Sequence, residues 1–194
     1  YGNNAYRFNN TQNITVAELR SRFGSMFSNN LIIGKHTIRD FRTTYGSLFP
    51  SIEINKGAGT VQLGSDRSSV ANELDQDIFE ITDNFKIFKN KHTFTIGTHN
   101  EFFKFRNLFI NNFNGRWRFG SFSDFYGNFP RQLDVTYSAN KATNARPSAE
   151  FDASQLGFYI QDEIQVNPKF KLTMGLRADM PVINSKPGDN KAVD

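Results

Sequence analysis

Cysteine does not occur in these 194 residues. That excludes a disulfide framework and any Cys-ligated zinc or iron–sulfur centre, and it leaves the redox compartment open. Long apolar runs are missing too. None exceeds three residues ("LII", "LFI", "FYI"), so no transmembrane helix is encoded. Charge of one sign is nowhere concentrated. The net charge is +4 and the pI is near 9.3, yet no five like charges stand in a row. A nucleic-acid-binding face needs its basic residues gathered together, so nucleic acid is not an expected partner. The opening "YGNNAYRFNN" has neither the basic start nor the apolar core of a secretory leader. The chain is therefore read as processed, or as beginning inside a larger protein.

What is abundant points to strands. Hydrophobic residues make up only 38% of the chain, but 21 residues are Phe and 22 are Asn. Aromatic side chains favour pleated surfaces, and Asn favours the turns between them. One phrase recurs: "FKNKHTFTIG" at Phe88–Gly97, "VNPKFKLTMG" at Val166–Gly175 and, shorter, "FSNNLIIG" at Phe27–Gly34. Around it the apolar period is two. Leu172, Met174, Leu176, Ala178 and Met180 alternate with Lys171, Thr173, Gly175, Arg177 and Asp179. Phe79, Ile81, Phe85 and Ile87 alternate likewise with Glu80, Thr82, Asn84 and Lys86. Such alternation marks strands with one apolar and one polar face.

Six strands are expected, over 13–27, 31–43, 74–88, 92–110, 151–166 and 170–183. Tight turns are expected at Ser28-Asn29-Asn30, Lys89-Asn90-Lys91 and Asn167-Pro168-Lys169. The two other connections, 44–73 and 111–150, are long, polar and read as structureless. Long strands joined alternately by short turns and long loops suit an outer-membrane barrel better than a compact soluble domain. The expected fold is all-β: an antiparallel meander forming part of a transmembrane barrel, with short periplasmic turns and long external loops. A mean hydropathy of −0.54 fits strands that are apolar on one face only. Two residues resist this pattern. Asp83 and Asp162 stand at apolar positions of their strands, and either an interfacial depth or a bulge would account for them.

Residues 151–183, "FDASQLGFYIQDEIQVNPKFKLTMGLRADMPVI", resemble a barrel hairpin of TonB-dependent outer-membrane receptors, in which a "G-F/Y-x-x-Q-D-E" strand, a turn and an "L-x-x-G-L-R" strand recur. Residues 79–125 look like a second hairpin and outer loop of the Bacteroidetes-type, Oar-like members. The resemblance implies an importer of the outer membrane whose loops capture a nutrient, whose lumen is blocked by a plug, and whose plug is displaced by TonB. Partners outside this chain would be TonB, the plug domain of the same protein and outer-membrane lipid, with a surface lipoprotein as a further candidate. Such receptors close about 22 strands into a barrel, so residues 1–194 are expected to be an interior part of one, ending in the polar loop "SKPGDNKAVD".

No catalytic constellation is legible, and no cofactor is expected. His36, His92 and His99 lie on separate strands or on opposite faces. "GKHT" at Gly34–Thr37 lacks the earlier glycine of a phosphate loop. "DQDIFE", with Asp75, Asp77 and Glu80, lacks calcium-loop spacing. Asp162 and Glu163 are adjacent, so on a strand they point apart and form no acid/base pair. The loop "NGRWRFGSFSDFYGNF", Asn114–Phe129, is the candidate binding element. Arg116, Trp117, Arg118 and Tyr126 are the candidate ligand-binding residues there, because Trp and Arg dominate recognition hot spots. The competing reading makes Trp117 and its Phe neighbours an aromatic girdle or loop packing. In "SFSDFYG", a Ser cap and a Gly stop predict one turn of helix over Ser121–Tyr126. A small porin or adhesin barrel and a soluble glycan-binding β-sandwich are the alternative readings of the whole.

Overall fold

The computed structural model describes residues 2–138 and 145–184. Six long strands form one sheet in the order β1-β2-β5-β6-β9-β10. They are β1 (Tyr6–Phe23), β2 (Phe27–Thr44), β5 (Asn72–Lys89), β6 (His92–Phe109), β9 (Ala149–Asn167) and β10 (Phe170–Ile183). Between them lie β3 (Ser51–Asn55), β4 (Thr60–Leu63), β7 (Arg116–Phe119), the helix α1 (Phe122–Tyr126) and β8 (Gln132–Asp134). These four short strands make a second sheet in the order β4-β3-β7-β8. The expected antiparallel meander is therefore present, and α1 occupies the expected turn. Ser121 caps α1 by accepting from the Asp124 N–H, and Gly127 closes it. The terminal "SKPGDNKAVD" lies outside the described residues.

Two expectations are corrected. The first turn is not Ser28-Asn29-Asn30 but Gly24-Ser25-Met26. Gly24 sits at φ +63°, where a side chain would be strained, so the reversal falls there. "FSNNLIIG" is consequently all strand. The connections 44–73 and 111–150 are also not structureless, because they carry β3, β4, β7 and β8. Each alternates over only three to five residues, too briefly to stand out against polar surroundings.

The chain resolves into two compact units. One comprises the residues up to Thr11, Ile38–Asp75 and Arg106–Glu150; the other comprises Gln12–Thr37, Gln76–Phe105 and the residues from Phe151 onward. The first holds a packed apolar core. Ala71 and Leu108 are fully buried, with Ile110 and Phe113 against them, and Ile54 and Phe119 are buried as well.

Among the described residues the second unit has no such core. The buried apolar residues all belong to the first unit. Many large apolar side chains of the second, among them Phe94, Ile96, Phe158, Ile160, Met174 and Leu176, are exposed. They share one face: in the β9–β10 register Leu172 opposes Ile164, Leu176 opposes Ile160 and Met180 opposes Leu156. An apolar face of that extent left uncovered by protein demands another apolar phase.

Asp83 and Asp162 stand at apolar positions of their strands, and at Asp162 the pairing with β10 has no shift. Asp162 opposes Met174 in register, and the one shift in the hairpin lies between Phe170 and Lys171. Each carboxylate instead has a partner across strands. Asn29 Nδ2 donates to Asp83 over 2.7 Å, and His92 Nδ1 stands 2.7 Å from Asp162 Oδ2. A paired carboxylate loses much of the penalty of leaving water.

On the opposite, polar face the glycine of the repeated phrase has a purpose. Tyr159 of β9 reaches across β6 to Asn84 of β5, where its hydroxyl donates to Asn84 Oδ1. It crosses at Gly97, where a Cβ would come within 2.4 Å of the ring. Gly97→Ala should lift Tyr159 off Asn84 and destabilise the folded protein by about 1–3 kcal/mol. Thermal unfolding monitored by heat-modifiable gel migration would read this loss. The same substitution in a Tyr159→Ala background should cost much less.

Candidate functional site

The short sheet brings the two long connections together. β3 pairs antiparallel with β4, so that Glu53 opposes Gln62 and Asn55 opposes Thr60. It pairs parallel with β7, which sets Glu53 beside Arg118 and Ile52 beside Trp117. β7 then pairs antiparallel with β8, setting Arg116 beside Asp134 and Trp117 beside Leu133. Alternation divides the residues into two faces. Ile52, Ile54, Val61, Leu63, Trp117, Phe119 and Leu133 share one; Glu53, Asn55, Thr60, Gln62, Arg116, Arg118, Gln132 and Asp134 share the other.

The apolar face carries α1. Phe125 of the helix meets Phe119 edge to face at 5.2 Å between ring centroids. Tyr126 stacks near Phe122 at 6.4 Å and is 81% exposed. Trp117, half-buried, belongs to this side.

The polar face is a ladder of charge. Arg116 is bonded to Glu53, and both side chains are only 12% exposed. Arg116 Nη1 also approaches Asp134 Oδ2 at 3.7 Å. Arg118 Nε lies 3.1 Å from the same oxygen, and its Nη1 donates to Gln132 Oε1 at 3.3 Å. Beside the ladder is a recess of about 420 Å³, lined by Glu53, Asn55, Thr60, Arg118, Arg131 and Gln132 together with Phe119 and Gly120. Arg131 is fixed by its backbone, whose N–H donates to the Arg118 carbonyl at 2.8 Å, and its side chain is exposed. A polar recess with two guanidinium groups and several amide and hydroxyl groups suits an oxygen-rich ligand, such as a carboxylate or a polyol.

The structure thus keeps Arg116 and Arg118 together but places Trp117 and Tyr126 on the α1 side of the sheet. Of the arginines, Arg116 is engaged by carboxylates and Arg118 lines the recess. Glu53, Asn55 and Thr60, from the other connection, were not singled out from the sequence. "SIEIN" and "TVQL" around Gly57-Ala58-Gly59 were the available sign, a hairpin pattern. Nearby, Asp66 organises residues 65–69. Its carboxylate accepts from Ser68 Oγ at 2.8 Å and Ser69 Oγ at 2.6 Å. Burial pushes its pKa up, but these hydroxyl bonds and that of the Ser68 N–H outweigh it and hold the group below the usual carboxylate value.

The family profile of the outer membrane β-barrel domain matches residues 3–191. The chain belongs to that family. No curated protein and no solved structure matches it. The protein is located in the bacterial outer membrane, and the exposed apolar face of its long strands has lipid to meet. A soluble sandwich is set aside on the same finding. In this outer-membrane barrel domain the polar face of β9 and β10 is expected to face the lumen. Single Cys replacements of Thr173 and Arg177 should therefore react with a membrane-impermeant thiol reagent, whereas those of Leu172, Met174 and Leu176 should not. Equal labelling of both sets would reject the assignment of faces.

Proposed function

We propose that the chain forms wall and external loops of a TonB-dependent importer rather than an enzyme, with a nutrient as cargo. Two features support this reading. One is the likeness of the 151–183 hairpin to those of such receptors. The other, which carries more weight, is that the two long connections fold into one sheet around a polar recess, a built surface rather than loose loops. Recognition commonly sits on loops held by a rigid scaffold. In the proposed cycle the recess holds the ligand, a plug domain of the same protein closes the lumen, TonB displaces the plug, and a surface lipoprotein is the candidate partner at the loops.

Planar-bilayer recording of the full-length protein separates this from a porin. An importer should show no steady conductance, because its lumen is plugged; a persistent open channel would replace the importer reading with the porin one. Nutrient depletion from the medium gives the positive arm. A strain lacking this protein and a strain lacking TonB should leave the same compound unconsumed.

A further inference from the structure

Besides the two paired acids already described, charge also stands on the lipid-facing parity of the long strands toward the long connections, and one group of it lines a common recess. Lys35 of β2, Asp77 of β5, Lys104 of β6 and Asp152 of β9 all fall on the parity of the apolar face. They line one recess of about 480 Å³ together with Phe79 and Phe102, whose rings lie 6.3 Å apart. Along β5 the sequence runs Asp77, Phe79, Ile81, and along β6 it runs Ile96, Phe102, Lys104. The charges therefore lie on the side of the aromatic pair toward the long connections, and the aliphatic residues on the side toward the tight turns. In an outer-membrane barrel with external long loops, that is the step from acyl chains to headgroups of the outer leaflet.

The lysines are available. Among the described residues the ammonium groups of Lys35 and Lys104 have no ion pair or hydrogen bond, and both side chains are exposed. Arg106, two positions beyond Lys104, is by contrast occupied by Glu73 at 3.0 Å and Asp75 at 3.1 Å. A cation at a bilayer interface without a protein partner is best satisfied by lipid phosphate. Acids in the same recess would repel a bare phosphate but accept hydrogen bonds from sugar hydroxyls and amides.

We propose that this recess binds the phosphorylated sugar headgroup of an outer-leaflet glycolipid. Lys35 and Lys104 hold its phosphate, Asp77 and Asp152 accept from its hydroxyl or amide groups, and Phe79 and Phe102 pack on the first methylenes of its acyl chains. The inference rests on outer-membrane location and is independent of the importer reading.

The test is native mass spectrometry of the full-length protein in detergent, titrated with a bis-phosphorylated diglucosamine glycolipid and with its dephosphorylated form. The unaltered protein should prefer the phosphorylated form by roughly thirtyfold, the combined effect of two interfacial lysines. Lys35→Ala with Lys104→Ala should abolish that preference, while Lys35→Arg with Lys104→Arg should keep it. Heat-modifiable migration checks that each variant is folded. Unchanged preference in the alanine pair, or no preference in the unaltered protein, would overturn the proposal. Displacement of the glycolipid by an equal concentration of inorganic phosphate would overturn it as well, since it would reveal a phosphate site rather than a headgroup site.

Discussion

Deleting residues 51–63 from the full-length protein should reduce uptake to background as completely as deleting residues 116–134. Composition alone argues otherwise, because 44–73 is small and Gly/Ser-rich, whereas 111–150 carries Trp117, Tyr126, Tyr137 and four arginines. The sheet reverses that judgement. β3 is the inner partner of both β4 and β7, so its removal leaves β7 with β8 alone and strips Glu53 from Arg116. The recess loses Glu53, Asn55 and Thr60 at the same time. Uptake by cells and heat-modifiable migration of the purified barrel would be measured on both deletions. Folded barrel should persist in each, as the deleted strands belong to the other sheet. Transport that survives either deletion would show that the loop sheet is not where ligand is captured.

Arg116→Ala should destabilise the loop sheet by about 3–5 kcal/mol, the cost of leaving a desolvated carboxylate without its partner. Glu53 is the carboxylate concerned, at 12% exposure. Limited proteolysis between β3 and β8 reads the local opening more directly than global melting does. Glu53→Gln combined with Arg116→Met should restore most of the resistance, since neither residue then carries an unpaired charge. Arg118→Ala, at a more exposed pair, should leave the sheet closed and weaken ligand binding instead. If Arg116→Ala proved as protease-resistant as the unaltered protein, the ladder would be ornamental to the fold.

The long strands and α1 were legible because their signals are local. Leu172 to Met180 alternate over a stretch longer than any accident of composition, and Ser121 and Gly127 bracket one helical turn. The first turn was misplaced because Asn29 and Asn30 favour turns by propensity, while Gly24, five residues before Asn29, had the freedom that the reversal needed. The second sheet was hidden for another reason. β3 and β7 pair with Glu53 beside Arg118, far apart in the chain, and nothing in "SIEIN" or "RWRF" names the other. The candidate site was half read as a result. Arg116, Trp117 and Arg118 are neighbours in sequence, but a strand sends the tryptophan to the side opposite the arginines. Tyr126 went with α1. The partners that give the arginines their setting, Glu53 and Asp134, come from elsewhere in the chain.

Tyr159 lies over Gly97 and ends on Asn84, so one side chain ties three neighbouring strands at fixed heights. A slip of β9 along β6 by one residue would send that ring to the other face, and a slip by two would carry its hydroxyl away from Asn84. The stagger between strands is thereby locked at this level. In a closed barrel, stagger and strand number together set the diameter. The tyrosine works as a gauge: by holding three staves in step it helps determine the width of the barrel to which they contribute.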